Sequence, residues 1–234
     1  MMIVFANTKG GVGKSTLAVH FAVWLFDRGA KVALLDCDKQ RSSSQWIAEA
    51  EPQITVTAAD TPENVALLAQ ELRQSHDFVV GDGPGGLDDL SRTLLILADL
   101  AVFPISPSIL DLRSVAQATG VLKYAHSINQ GRPEGRLVLN RMRKRDTISR
   151  ELQAAAPNLG LSVARSVIRD LQIYRDAAQQ GTAATRMGAR GRDAAAELTQ
   201  LFVELLTDKL AFLEVGDLNN EQTGRAHVRK TVAQ

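Results

Sequence analysis

The sequence predicts an α/β fold in which a doubly wound, mainly parallel sheet has helices on both faces. Short apolar runs alternate with longer amphipathic segments along most of the 234 residues. Successive positions in the runs are apolar, which is typical of strands with both faces buried, whereas the longer segments have helical periodicity. Strand and helix alternating many times indicate a parallel sheet with crossover connections.

Seven strands and seven helices are expected in this order. The strands are apolar runs at residues 3–6, 31–35, 54–58, 78–81, 100–104, 136–139 and 161–167. The helices are amphipathic segments at residues 14–28, 62–74, 87–97, 110–128 and 147–155, with two more after Asp170 and Gly191.

Length and composition favour a single globular domain. The chain has 45% hydrophobic and 23% charged residues, which argues against a disordered or fibrous protein. We expect one domain over residues 1–215 and a disordered polar tail over residues 216–234. The single cysteine, Cys37, excludes an intramolecular disulfide or a four-thiolate metal site and favours a reducing cytoplasm. We expect neither an export signal nor a membrane span, because no stretch reaches ~18 apolar residues.

Charge is balanced overall but uneven along the chain. The net charge is +1, yet residues 132–192 contain 13 basic and 5 acidic residues, a net of +8. A basic surface on a neutral protein is typical of nucleic-acid contact, although a solvated basic face is the alternative. The candidate DNA-binding residues are Arg165, Arg169, Arg186, Arg190 and Arg192.

A glycine-rich loop joins the first strand to the first helix. Residues 9–16 read Lys-Gly-Gly-Val-Gly-Lys-Ser-Thr, and this strand, loop and helix context is the one that a phosphate-binding loop requires. Its backbone N–H groups can turn inward around an anion, Lys14 can reach the β- and γ-phosphates, and Ser15 can bind Mg²⁺. The residues expected to contact ATP are Gly10, Gly11, Val12, Gly13, Lys14, Ser15 and Thr16.

Carboxylates follow two of the apolar runs. Asp36 and Asp38 come after the second run and Asp82 after the fourth, so all three should lie at the edge of the sheet where ligands bind. Two acids after one strand can serve a metal ion or a water molecule, or can cap the next helix. Asp82 ends an apolar strand and is followed by a glycine-rich segment, so it is expected to hold Mg²⁺ through water.

The lysine that opens the loop makes this sequence similar to the ParA/MinD family of deviant Walker-type ATPases. The resemblance extends from residue 2 to about residue 213 and implies a P-loop NTPase fold. It implies that Lys9 reaches across a nucleotide-sandwiched homodimer and that Asp36 lies near the Mg²⁺ shell. It also implies that Asp38 positions the attacking water. Asn140 matches a position that often reads adenine, although a strand-end turn is an equal alternative, and Lys39 replaces the family's usual proline.

The resemblance is strongest to the small ParA-type plasmid partition proteins. It implies an ATPase that dimerises on ATP, binds DNA non-specifically and positions a plasmid, chromosome or protein cargo on the nucleoid. A ParB-like protein or a cargo adaptor would stimulate hydrolysis. A MinD-like membrane-positioning ATPase is one alternative, but the last eighteen residues contain few large apolar groups. A metabolic ATP-dependent enzyme of the same fold is the other.

Overall fold

Parallel strands and surrounding helices make up the part of the chain that the computed structural model describes, residues 1–86, 88–107, 109–143 and 161–207. The strands are β1 (Met2–Asn7), β2 (Val32–Asp36), β3 (Thr55–Ala58), β4 (Phe78–Gly85), β5 (Leu100–Ile105), β6 (Glu134–Leu139) and β7 (Ser162–Val163). The helices are α1 (Lys14–Phe26), α2 (Ser42–Ala50), α3 (Pro62–Ser75), α4 (Asp89–Leu97), α5 (Ile109–Ile128), α6 (Gln172–Gln179) and α7 (Gly188–Leu206).

The seven strands form one sheet in the order β3-β2-β4-β1-β5-β6-β7. Every strand pair is parallel, which confirms the predicted fold class. The strand order reverses on either side of β1, so the loops that follow β1, β2, β4 and β6 open at the same edge of the sheet. Ligands of doubly wound sheets bind at this edge.

Alternate residues of each strand pack into two separate cores. Ile3 and Phe5 of β1 face a core built with α1 and α7, whereas Met2 and Val4 face a core built with α3, α4 and α5. This alternation follows from the two-residue period of a strand. Because both sides are covered, all six residues of β1 are buried, as the uniformly apolar run predicted.

Helix α2 is the element that the sequence analysis did not include. It begins in a run of three serines, and serine is a poor helix former outside a capping position. The side chain of Asp36, eight residues earlier, accepts hydrogen bonds from the Ser44 N–H at 3.0 Å and the Ser44 hydroxyl at 2.6 Å. A carboxylate from the end of β2 therefore satisfies the first turn of the helix, which local sequence does not reveal.

Strand β7 is shorter than the predicted strand at residues 161–167. Only Ser162 and Val163 pair with β6. The Ala164 N–H still donates to the Leu137 oxygen of β6 at 2.8 Å, but the N–H groups of Arg165 and Ser166 bind to the carboxylate of Glu204 on α7, at 2.6 and 2.9 Å. The Ile168 N–H then donates again to β6, at the Leu139 oxygen, so the regular pairing is interrupted where a side chain serves as acceptor. The predicted helix at 147–155 and the predicted tail at 216–234 lie outside the described residues.

Candidate functional site

A cleft of about 980 Å³ opens at the edge of the sheet where β1, β2, β4 and β6 end. Its walls include the predicted phosphate loop, Asp38, Asn140 and residues 168–171. The end of β4 also reaches it: a Cβ on Gly85 would lie 3.5 Å from the Gly10 backbone. The topology therefore brings the candidate residues of the first half of the chain to one place.

The phosphate loop has the backbone conformation that a ring of inward N–H groups needs. Gly11 and Gly13 have φ angles of +75° and +95°, a region that L side chains rarely adopt. A Cβ on Gly13 would also lie 2.3 Å from the Asn140 amide nitrogen. Val12 between them is 1% exposed, so its side chain anchors the loop in the core.

Lys14 lies inside the loop, at the start of α1. It is 6% exposed, and its ammonium group donates to the Lys9 carbonyl oxygen at 3.4 Å. Burial lowers the pKa of Lys14, and the negative charges of Asp82 and Asp38 partly offset this effect. A bound phosphate group would restore the lost stabilisation of the ammonium ion. Ser15 and Thr16 follow in the first turn of the helix and line the cleft.

Lys9 is exposed at the entrance of the loop. Its N–H donates to Asn7 Oδ1 at 3.0 Å, and Asn7 Nδ2 donates to the Pro104 carbonyl oxygen at 2.7 Å. Asn7 is 2% exposed and joins the base of the loop to β5. The sequence analysis missed Asn7, although an asparagine at a strand end, two residues before a loop N–H, is a recognised turn signal.

Asp36 and Asp82 lie side by side but have different environments. They are register partners on β2 and β4, and both are fully buried. Asp36 accepts from the Asp38 N–H at 2.9 Å and from Ser44. Neither carboxylate oxygen of Asp82 has a hydrogen-bond partner in the described part of the chain. Burial raises the pKa of Asp82 to about 7, although neighbouring hydroxyl groups and the Lys14 ammonium act in the opposite direction.

These residues fit a Mg²⁺ ion, which prefers a few oxygen ligands together with substrate phosphates. The unpartnered Asp82 carboxylate is a buried oxygen donor of the required kind, and Ser15 supplies a hydroxyl group from the phosphate loop. Asp36, predicted as a metal residue, accepts hydrogen bonds from Asp38 and Ser44 in the segment that leads into α2, and its place near the Mg²⁺ shell stays a prediction. Among the described residues no group of three or more His, Cys, Asp or Glu side chains forms a metal cluster.

The loop after β2 places Asp38 and Lys39 in the wall of the cleft. Asp38 is half-buried, and its Oδ1 accepts the Gln40 N–H at 2.9 Å. Arg41 then has a φ of +53°. Its guanidinium group donates to the main-chain oxygens of Asp36 and Ala59. Arg41 thus ties the loop that carries Asp38 to the ends of β2 and β3, a role that its sequence neighbourhood does not indicate.

Two residues after β6 line the cleft and contact the backbone of the phosphate loop. Asn140 Nδ2 donates to the Val12 carbonyl oxygen at 2.8 Å, and Arg141 Nη1 donates to the Gly11 carbonyl oxygen at 2.7 Å. Asn140, predicted to read adenine, is placed in the cleft wall but directs one amide N–H at the loop backbone. Arg141 was not among the predicted site residues.

The predicted DNA-binding arginines do not form one uncompensated patch. Arg169 pairs with Glu197 and, at 3.0 Å, with Asp193. Arg186 contacts Asp27 at 2.6 Å and Glu51 at 2.9 Å, and Arg190 contacts Asp176 at 2.8 Å. Arg165 and Arg192 are exposed. Acidic residues from outside the window at 132–192 pair with Arg169 and Arg186 inside it. The surface therefore carries less uncompensated positive charge than the sum of +8 suggests.

A buried histidine supports the loop from behind. His20 is fully buried in α1, with Nδ1 2.7 Å from the Thr16 carbonyl oxygen. Its Nε2 accepts the Ala184 N–H at 3.0 Å. The rings of Trp46 and Tyr174 contact it edge to face, with centroids 5.3 and 5.6 Å away. Burial lowers the pKa of His20 to about 4, so the ring is neutral.

Comparison with known proteins agrees with this geometry. Residues 3–183 match the CobQ/CobB/MinD/ParA nucleotide-binding domain. The maintenance of carboxysome distribution protein A of Halothiobacillus neapolitanus is 34% identical over 209 residues, which are 87% of this chain and 95% of that protein. Protein ParA of Rhizobium radiobacter is 32% identical over 147 residues, 54% of this chain and 62% of that protein.

Solved structures share the fold. The ATP complex of McdA from Cyanothece superimposes with a TM-score of 0.72 and 16% identity, covering 88% of this chain and 96% of that one. The cell division ATPase MinD of Pyrococcus furiosus gives a TM-score of 0.71 and 21% identity, covering 90% and 99%. In the described ranges, no helix combines the length and hydropathy that crossing a membrane requires. This chain belongs to the ParA/MinD family of nucleotide-binding ATPases, within the CobQ/CobB/MinD/ParA domain class.

Proposed function

We propose that this protein hydrolyses ATP with Mg²⁺, forms a homodimer around two ATP molecules and uses this cycle to position a cargo. The observation that carries the proposal is the different exposure of two lysines in one loop. Lys14 is enclosed by its own loop, at 6% exposure, whereas Lys9 is exposed at the entrance. Lys14 would therefore serve the nucleotide of its own subunit, and Lys9 would reach phosphates bound by a second copy.

The cleft supplies a separate group for each need of phosphoryl transfer to water. Lys14 would neutralise the β- and γ-phosphates, and Asp38 would accept a hydrogen bond from the attacking water. The water oxygen forms a bond to the γ-phosphorus while the bond to the ADP oxygen breaks, and the water proton leaves with the phosphate product. Ser15 and Asp82 would hold Mg²⁺, which neutralises phosphate charge when bound.

The relatives support a positioning role. The Halothiobacillus protein that matches over 95% of its length is named for carboxysome distribution, and the ParA match covers 62% of that protein. A protein assembly is therefore our first choice of cargo and a plasmid or chromosome the second. A ParB-like or adaptor protein on the cargo would stimulate hydrolysis. We also propose one ATPase domain over residues 1–215, a tail over 216–234, and a cytoplasmic location on the nucleoid.

Sedimentation with and without ATP and Mg²⁺ tests the dimer. Lys9→Ala should bind ATP with nearly unchanged affinity but remain monomeric, since in this proposal the exposed Lys9 contacts only the nucleotide of the partner subunit. Lys31→Ala is the matched control, because Lys31 is also an exposed lysine but lies outside the cleft. A Lys9→Ala variant that still dimerises on ATP would contradict the proposal.

Non-specific DNA binding is the second part of the proposal. The dimer should bind unrelated duplexes with a clearly steeper salt dependence than the monomer, since two copies contact more phosphates. Arg165→Ala and Arg192→Ala should each reduce the slope, whereas Arg92→Ala on the opposite face of the sheet should not. Fluorescence anisotropy at several salt concentrations measures this. ATP-dependent binding to anionic vesicles without DNA binding would favour the membrane-positioning alternative.

A further inference from the structure

Two consecutive side chains at the end of β6 donate to two consecutive carbonyl groups of the phosphate loop. Asn140 binds the Val12 oxygen at 2.8 Å, and Arg141 binds the Gly11 oxygen at 2.7 Å. Asn140 is 4% exposed and occupies the space next to Gly13 that a Cβ would need. The contact is thus a packed junction between the loop and β6, which are 128 residues apart in sequence.

The orientation of these carbonyl groups decides where the neighbouring N–H groups point. The Gly11 oxygen and the Val12 N–H belong to one peptide plane, and the Val12 oxygen and the Gly13 N–H belong to the next. In each trans plane the two groups point in opposite directions. Holding both oxygens on the outside therefore holds both N–H groups toward the inside, where a phosphate would lie. A rotated plane would place an oxygen against the anion.

Arg141 adopts a backbone conformation that is unfavourable for its residue type. Its φ is +58°, and a residue without glycine's freedom is strained there. The flanking main chain is tied on both sides, because the Asn140 N–H binds the Ile105 oxygen at 2.8 Å and the Met142 N–H binds the Ile168 oxygen at 3.0 Å. Arg141 is exposed, and its side chain reaches the phosphate loop at the Gly11 oxygen.

We propose that Asn140 and Arg141 form a clamp on the outer face of the phosphate loop, which keeps the Val12 and Gly13 N–H groups directed at the phosphates of the bound nucleotide. Arg141 is a positioning residue in this scheme: it acts through the loop backbone and does not touch the nucleotide. The inference rests on the proposed nucleotide-binding function. It assigns to Asn140 a task besides the adenine contact expected from the resemblance.

If Arg141 acts through this clamp, its loss must have three effects that other roles for Arg141 would not produce together. The effect of losing Arg141 must be equal for ADP and for inorganic pyrophosphate, because both occupy the loop. It must persist at high salt, because a hydrogen bond to a carbonyl group is screened far less than a charge acting at a distance. It must not depend on loss of stability, because Arg141→Gly removes the unfavourable φ together with the side chain.

Calorimetric titration of ADP and pyrophosphate into the full chain tests these requirements. Arg141→Gly should weaken both ligands by about tenfold or more, the loss expected for one hydrogen bond from a charged donor. Its melting temperature should equal or exceed that of the wild type. Arg141→Lys, which keeps a donor, should recover part of the affinity. Gln130→Gly is the matched control, since Gln130 also has a positive φ, +54°, but does not line the cleft, and it should leave both affinities unchanged.

Three results would overturn the clamp: unchanged ADP affinity in Arg141→Gly, a loss confined to ADP, or a loss that disappears between about 0.05 and about 0.5 M salt, where the Debye length falls severalfold. A loss confined to ADP would indicate a contact with base or ribose, and a salt-sensitive loss would indicate long-range attraction. If the wild-type chain itself bound neither ligand, the proposed function would fail first and the clamp with it.

Discussion

Asp82→Asn should stabilise the nucleotide-free protein while removing its metal-binding carboxylate. The side chain is fully buried without a hydrogen-bond partner for either oxygen among the described residues, and its pKa is raised from 3.8 to about 7. Since the folded form binds its proton more tightly, stability is lost as pH rises from about 4 to about 7. At about 1.4 kcal/mol for each unit of pKa, ionised Asp82 costs up to about 4 kcal/mol at pH 8.

Thermal unfolding of wild type and Asp82→Asn in EDTA at pH 8 and pH 5 measures this. Each kcal/mol corresponds to about 2–4 °C for a protein of this size, so the variant should melt several degrees higher at pH 8. The gain should fall to less than half at pH 5, where folded Asp82 is already protonated. Mg²⁺ with ADP should stabilise the wild type more than the variant. A variant no more stable than the wild type at pH 8 would show that Asp82 is already compensated in the empty protein.

Three further predictions concern two residues of the cleft and the buried His20 of α1. Lys14→Ala should abolish ATP binding in calorimetry, because the loop loses the cation that faces the phosphates; unchanged binding would contradict the nucleotide site. Asp38→Ala should bind ATP and dimerise but hydrolyse little, so phosphate release should fall while sedimentation shows a persistent dimer; normal turnover would mean that another residue orients the water. His20→Gln should flatten the acid side of the stability profile. The depressed pKa of His20, about 4 against 6.5, makes folding lose up to about 3 kcal/mol as pH falls from about 6.5 to about 4, and an unchanged profile would refute this.

Much of the fold could be predicted because its signals are local. Apolar runs marked the strands, and the glycine pattern marked the loop between β1 and α1. Two errors have the same physical origin. Asp36 binds the Ser44 N–H in the first turn of α2, and Glu204 interrupts the regular pairing after β7 by accepting two main-chain N–H groups. In both places a carboxylate distant in sequence satisfies the backbone, and no local propensity contains that information.

Some residues of the candidate site could likewise be predicted from the sequence, and others could not. Lys14, Asp38 and Asp82 were expected near one another because parallel strands end at one edge of the sheet; in the structure Lys14 and Asp38 line one cleft, and the charges of Asp38 and the buried Asp82 both act on Lys14. Their roles stay predictions. Asn7 and Arg141 were missed because they contact loop backbone, for which any donor or acceptor of suitable reach would serve. The sum of +8 over residues 132–192 did not include the acids that folding brings to Arg169 and Arg186, and DNA binding stays a prediction.

The central place of β1 has a consequence for how the chain is made. This strand is synthesised before its partners, because β4 and β5 begin at residues 78 and 100. The apolar β1 therefore has no neighbouring strand until β4 and β5 have been synthesised, and such delayed, non-local pairing exposes nascent chains to aggregation. The aromatic side of α1 is covered later still, because Phe21 packs against Phe202 of α7, with 4.9 Å between the ring centroids. Overproduction at low temperature or with added chaperones should thus raise the soluble yield, and chains truncated before α7 should be recovered mainly as aggregates.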